Sequence, residues 1–236
     1  MFIYDLMHRN SQVAGENVAF KDPDNEITYR QLHSFAIQAG TYIYNTCDQQ
    51  QNQPIVVFID RNIESVQAFM AVVYSGNYYV PIDINQPTSR IDLILETLNP
   101  ILIINATDKQ LADIEFSEKV IRFAELADFE NGSVETIEAI QSRLIDTDPL
   151  YAMFTSGSTG VPKGVLISYG SVLDMAEEFT KEFGFTEDSI FGNQAPFYFD
   201  VSVKDIYNAT YVAAKVVIIP QVNFSFPNIV IDFLNE

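Results

Sequence analysis

Short apolar runs alternating with stretches of helical period fill the first half of the chain, and they restrict its fold more than any other feature. PIVVFI at 54–59 reads as a buried strand. NIESVQAFMAVVYSG follows, with Ile63, Val66, Phe69, Met70 and Val73 at helical spacing and a stop at Gly76. YYVPI then predicts a strand, TSRIDLILETLN a helix, and ILII after Pro100 another strand. Upstream, ITYRQLHSFAIQAGTYIYN places Leu32, Phe35, Ala36, Ala39, Tyr42 and Ile43 on one helical face, with Thr28 as N-cap. Strands separated by helices join through crossovers rather than hairpins. The expected class is therefore α/β, with mostly parallel sheets flanked by helices.

The second half is less regular at first. From Asp108 to Asp148 only KVIRFAEL reads as a short strand and turn, and the segment holds 11 acids against 4 bases, the composition of a solvated acidic face. LYAMFT is the next strand. VLISYGSVLDMAEEFTKEFGF predicts a strand-like VLIS, then a helix with Val172, Ala176, Phe179 and Phe183 at helical spacing and Gly184 as its stop. AAKVVIIP is a strand, and FPNIVIDFLNE opens a helix with Pro227 near its first turn. A first α/β region is expected over about 1–148, and the start of a second over 149–236. The last helix has the look of one cut short.

Charge bears on partners. Thirteen Lys and Arg against 32 Asp and Glu give a net charge of −19, which repels nucleic-acid phosphates and anionic lipid. Neither is an expected partner. No apolar stretch approaches the ~20 residues that span a bilayer, and MFIYDLMHRNSQ lacks the sustained apolar core of a signal peptide. Cys47 is the single cysteine, so no intrachain disulfide forms. These features point to a cytoplasmic protein.

Against that acidic background, FTSGSTGVPKG at 154–164 stands out. Gly157, Gly160 and Gly164 free the backbone to turn successive N–H groups into one concavity. Thr155, Ser156, Ser158 and Thr159 add hydroxyls, and Lys163 adds a mobile positive charge. The combination suits a polyphosphate. It is not a Walker A loop, because Pro162 precedes Lys163 and Gly164 follows where Ser or Thr should open a helix. Nor is it a nucleophile elbow, since Gly-x-Ser-x-Gly spacing fails around Ser158. The two histidines, His8 and His33, suit surface or core roles, and no close His or Cys pair offers a metal site.

FTSGSTGVPKGV resembles the signature loop of the adenylate-forming enzymes. These include acyl-CoA synthetases, luciferases and the adenylation domains of nonribosomal peptide synthetases. ITYRQL at 27–32, YSGNYYVPIDINQP at 74–87 and NQAPFYFDVSVKDIY at 193–207 resemble further motifs of that family, in order. The last is most similar to D-alanine–carrier protein ligases. The resemblance implies the N-terminal part of the adenylate-forming fold and a two-step reaction. An amino-acid carboxylate attacks the α-phosphate of ATP and releases pyrophosphate, and a phosphopantetheine thiol of a carrier protein then takes the acyl group. Residues Thr155, Ser156, Gly157, Ser158, Thr159, Gly160, Lys163 and Gly164 would hold ATP phosphates, with Lys163 in a catalytic role. Asp200 would pair with the substrate's α-ammonium group, next to Phe199. Asp200 follows Tyr198 and Phe199 in an apolar stretch, where a buried acid needs a cationic partner. Lys204 receives no role. The ligands for Mg²⁺, the adenine and ribose contacts and a C-terminal subdomain would lie beyond residue 236. Alternatives are a peptide-synthetase adenylation domain for another amino acid, an acyl-CoA or aryl-acid synthetase, and a non-catalytic nucleotide-binding module.

Overall fold

A computed structural model of the chain describes residues 2–109, 111, 119–155, 162–221, 224, 228, 230 and 231. Two sheets carry the fold. The larger runs in the order β6 (Val120–Arg122), β5 (Leu102–Asn105), β3 (Pro54–Ile59), β4 (Tyr78–Asp83), β7 (Pro149–Thr155) and β8 (Lys163–Ser168). The smaller runs β2 (Glu26–Thr28), β1 (Val18–Lys21), β10 (Lys215–Ile218) and β9 (Ile190–Asn193). Pairing is parallel except between β1 and β2 and between β7 and β8. The mostly parallel α/β expectation holds. Both sheets draw strands from each side of residue 148.

The strand β3 shows why. All six of its residues are buried, as a parallel strand covered on both faces requires. Ile55, Val57 and Ile59 join the main core, whereas Val56 and Phe58 face a second cluster under α4 (Thr88–Leu98), through Ile91, Ile94 and Leu95. The main core holds α2 (Tyr29–Thr46), α3 (Ile63–Tyr74) and residues of both sheets, among them Phe20 and Val216. Ten of the twelve residues of α3 are buried, so this helix is packed on all sides. Thr28 caps α2 as expected: its Oγ1 accepts from the Gln31 N–H at 3.3 Å while Gln31 Oε1 accepts from the Thr28 N–H at 2.9 Å.

Other elements departed from expectation or went unforeseen. The helix α1 (Ile3–Val13) buries Ile3, Leu6 and Met7, and Asn10 Nδ2 donates to the Thr210 carbonyl at 2.7 Å. That carbonyl lies near the end of α8 (Asp200–Val212). In the acidic segment, α5 (Phe123–Ala127) stands where a turn was expected and α6 (Val134–Gln141) where nothing was. The helix α7 (Tyr169–Phe183) buries Val172 and Ala176 but leaves Phe179 36% and Phe183 63% exposed, so only the first half of the expected apolar face packs inward. Of the last expected helix, residues 228, 230 and 231 are helical, and the rest, Pro227 included, lies outside the described residues.

One side chain ties the sheets together. Arg61, just past β3, donates from Nη2 to the carbonyls of Asn193 and Ile219, each at 2.8 Å, and from Nη1 to that of Gln194 at 3.1 Å. The ends of β9 and β10 are thereby fixed beside the end of β3.

Candidate functional site

Ligands of parallel α/β sheets gather beyond the carboxyl ends of the strands. Here β4 and β7 share a single paired position, Tyr79 opposite Tyr151. Past it, a cavity of about 630 Å³ lies between Pro81 and Ile82 of β4 and Met153, Phe154 and Thr155 of β7. That volume suits a small-molecule ligand, for which roughly 300–1,000 Å³ is usual. Val165 and Ile167 of β8 and Ile94 of α4 make further apolar walls, and Gln86, Arg90 and Asp200 bring polar groups.

Phe199 is the N-cap residue of α8 and Asp200 its first residue. Both line the cavity, with Tyr198. Asp200 is exposed rather than buried, so no protein cation is required beside it, and none pairs with it among the described residues. An acid at this position is favoured by the partial positive charge of the helix N-terminus. Tyr151 feels Asp200: burial first, then that carboxylate, push its phenol up to about 12, so it remains a hydrogen-bond donor at neutral pH.

The residues beneath these groups are stacked and hydrogen-bonded to one another. Tyr79 stacks on Tyr151 with centroids 5.7 Å apart, and its hydroxyl lies 3.1 Å from that of Tyr207 on α8. Asn193 Nδ2 donates to Asp205 Oδ2 at 3.1 Å, and Ser202 Oγ donates to the Phe199 carbonyl at 2.7 Å. These bonds fix the turn that presents Asp200. Lys204 Nζ lies 2.6 Å from Asp205 Oδ1, which gives it a structural partner.

Thr155 ends β7 opposite Lys163, the first residue of β8, and its hydroxyl lies 3.5 Å from the Lys163 carbonyl. Gly164 faces Phe154 across the pair, and a Cβ there would sit 3.1 Å from the ring. Thr155, Phe199 and Asp200 share the cavity, while Lys163 and Gly164 are not among its walls. Ser156, Gly157, Ser158, Thr159 and Gly160 lie outside the described residues. Sequence reasoning missed Gln86, Arg90 and Tyr151. The available signal was position, since each sits at or just past a strand of the parallel sheet.

His33 is buried on α2, with Nδ1 2.7 Å from the Tyr74 hydroxyl and Nε2 3.4 Å from His8 Nδ1. Neither histidine lines the cavity. Among the described residues no group of three or more His, Cys, Asp or Glu could hold a metal ion, so the Mg²⁺ implied by the resemblance finds no ligand set there. No described helix is long and apolar enough to cross a membrane.

The chain is similar to known proteins over nearly its whole length. It is 32% identical over 205 residues to a D-alanine–D-alanyl carrier protein ligase of Staphylococcus haemolyticus, covering 87% of this chain and 40% of the ligase. It is 26% identical over 210 residues to the nonribosomal peptide synthetase GRA1 of Gibberella zeae, covering 87% of this chain and 3% of the synthetase. In three dimensions it overlays the N-terminal subdomain of Klebsiella oxytoca NpsA, solved with 3-hydroxybenzoyl-AMSN, with a TM-score of 0.78 and 23% identity over 93% of this chain and 54% of that one. The chain thus spans less than half the length of the ligase it matches. A family model described as AMP-binding enzyme matches residues 7–236, and the chain belongs to that family.

Proposed function

We propose that residues 1–236 are the N-terminal portion of an ATP-dependent ligase that activates an amino acid, D-alanine, and passes it to the phosphopantetheine thiol of a carrier protein. On this reading 1–148 is the first α/β region, and 149–236 holds the phosphate loop and the start of the second. The observation that carries the reading is that Asp200, Phe199 and Thr155 meet at one cavity beyond the ends of parallel strands. Similarity to D-alanine–D-alanyl carrier protein ligases supports the substrate. The setting would be cytoplasmic, and the acyl group would be destined for teichoic acid.

The chemistry follows from the charges. The substrate's ammonium group sits at Asp200 and its carboxylate points along β7. A carboxylate oxygen attacks the α-phosphorus of ATP, the bond from that phosphorus to the bridging oxygen breaks, and pyrophosphate departs with the negative charge. Backbone N–H groups and hydroxyls of 155–160, with Lys163, stabilise the charge that develops on the phosphates. Ile82, Met153 and Ile167 would form apolar walls beside the mixed anhydride. The thiol then attacks the acyl carbon and AMP leaves.

Replacing Asp200 by Ala in the native-length enzyme tests the substrate assignment. The KM for the amino acid should rise about tenfold to a hundredfold, the usual worth of a hydrogen bond to a charged group, while the KM for ATP holds. An unchanged amino-acid KM overturns the reading. A peptide-synthetase adenylation domain for a different amino acid is a second reading, favoured by the match to GRA1. It keeps the role of Asp200 and changes the side chain accepted.

A further inference from the structure

Among the described residues that wall the cavity, Arg90 is the one base and Asp200 the one acid. Arg90 stands in the first turn of α4, half-buried. Its Nε donates to Gln86 Oε1 at 2.8 Å, and Nη2 reaches the Phe154 carbonyl at 3.4 Å. A guanidinium carries five N–H donors in one plane, so these two contacts leave others for a ligand. The ion pairs among the described residues engage Arg30, Arg122, Lys181 and Lys204, and none engages Arg90. In a chain with 32 acids and 13 bases, a cavity guanidinium with no carboxylate partner among the described residues is notable. Its plane, oriented by Gln86, matches a carboxylate or a phosphoryl group that accepts two parallel bonds.

Position on β7 favours the phosphoryl group. Arg90 Nη2 reaches the carbonyl of Phe154, near the end of that strand. Thr155, where the glycine- and hydroxyl-rich run begins, is the next residue after Phe154.

We propose that Arg90 is a phosphoryl-binding residue of this site, a cation distinct from Lys163, with Gln86 holding its guanidinium in plane. The inference rests on reading the cavity as a site for an acyl phosphate ester. It assigns the ligand class at Arg90 as a nucleotide phosphate or free pyrophosphate.

Calorimetric titration of the native-length polypeptide with sodium pyrophosphate, ATP, D-alanine and acetate, at one fixed salt concentration, tests it. Arg90→Gln should weaken pyrophosphate and ATP binding by about tenfold or more, with D-alanine binding and the unfolding midpoint unchanged. Gln86→Leu should give a smaller loss of the same kind. Should Arg90→Gln lower the unfolding midpoint, Arg90→Lys takes its place in the titration, since it keeps the charge and loses the fork. Unchanged pyrophosphate affinity overturns the inference. So does binding of D-alanine or acetate, rather than pyrophosphate, that depends on Arg90, and so does absence of phosphate binding by the unaltered chain at millimolar levels. A Lys163→Ala arm separates this inference from the loop assignment. Loss with Lys163→Ala alone keeps the loop and overturns Arg90, and loss with Arg90→Gln alone supports Arg90 and counts against Lys163. Absence of D-alanine binding with Arg90-dependent pyrophosphate binding supports the inference and counts against the amino-acid reading.

Discussion

His33 sits among Tyr4, His8 and Tyr74, with ring centroids 5.3 to 5.8 Å from its own. Burial first, and then the charge of His8, hold its imidazole down from 6.5 to about 4. The folded protein therefore binds fewer protons than the unfolded chain between those values. Its stabilising contribution is complete above about pH 6.5 and is lost as pH falls toward 4. In urea titrations, His33→Gln should lose less stability than the unaltered protein between pH 7 and 4.5, although carboxylates titrate in both. Equal losses would show that His33 is not held neutral. Sequence reasoning allowed His33 a core role but had no means to find Tyr74, 41 residues away, as its partner. The family resemblance singled out Asp200, and the structure places it at the cavity, but its exposure was not legible, because exposure depends on how the turn before α8 meets β7. Arg90 received no reading at all, because its place in the cavity wall depends on how α4 meets β7.

At the scale of elements, α2 and α3 approach closely enough at Gly40 that side-chain volume there decides their packing. A Cβ on Gly40 would lie 2.7 Å from Tyr74 Cβ and 3.2 Å from the Ala71 carbonyl oxygen. Gly→Ala inside a helix ordinarily stabilises by about 0.5–1 kcal/mol. Here the neighbours are helix backbone and a Cβ, which cannot swing aside, so overpacking of about 1–3 kcal/mol wins. Gly40→Ala should lower the urea midpoint, and a raised midpoint would show that the two helices separate freely. Helices with long apolar periods, such as α2 and α3, were legible in type and position, although α3 ends at Tyr74, short of the expected stop at Gly76. The two-turn α6 was not, because Ile137 and Ile140 are too few positions to establish a period. The apolar face of α7 was over-read for the opposite reason: Phe179 and Phe183 keep the period but lie beyond the part of the helix that packs.

For the whole molecule, alternation announced parallel strands but not their division into two sheets. Phe20 pairs with Val216, and no local pattern links residues so far apart. VAFK and EIT are also too short to declare themselves as strands without that partner. The interleaving matters for function, since Arg61 and the tyrosines at 79, 151 and 207 fix α8 and its Asp200 against strands from the other sheet. A molecule with a net charge of −19 binds an anionic nucleotide only where local donors overcome that field. The most direct measurement is exchange of labelled pyrophosphate into ATP by the native-length polypeptide, with D-alanine, glycine, the L-amino acids and a set of fatty and aryl acids offered in turn. Exchange driven by D-alanine is the predicted result. Exchange only with acids that lack an amino group, or with none of the acids offered, would contradict it.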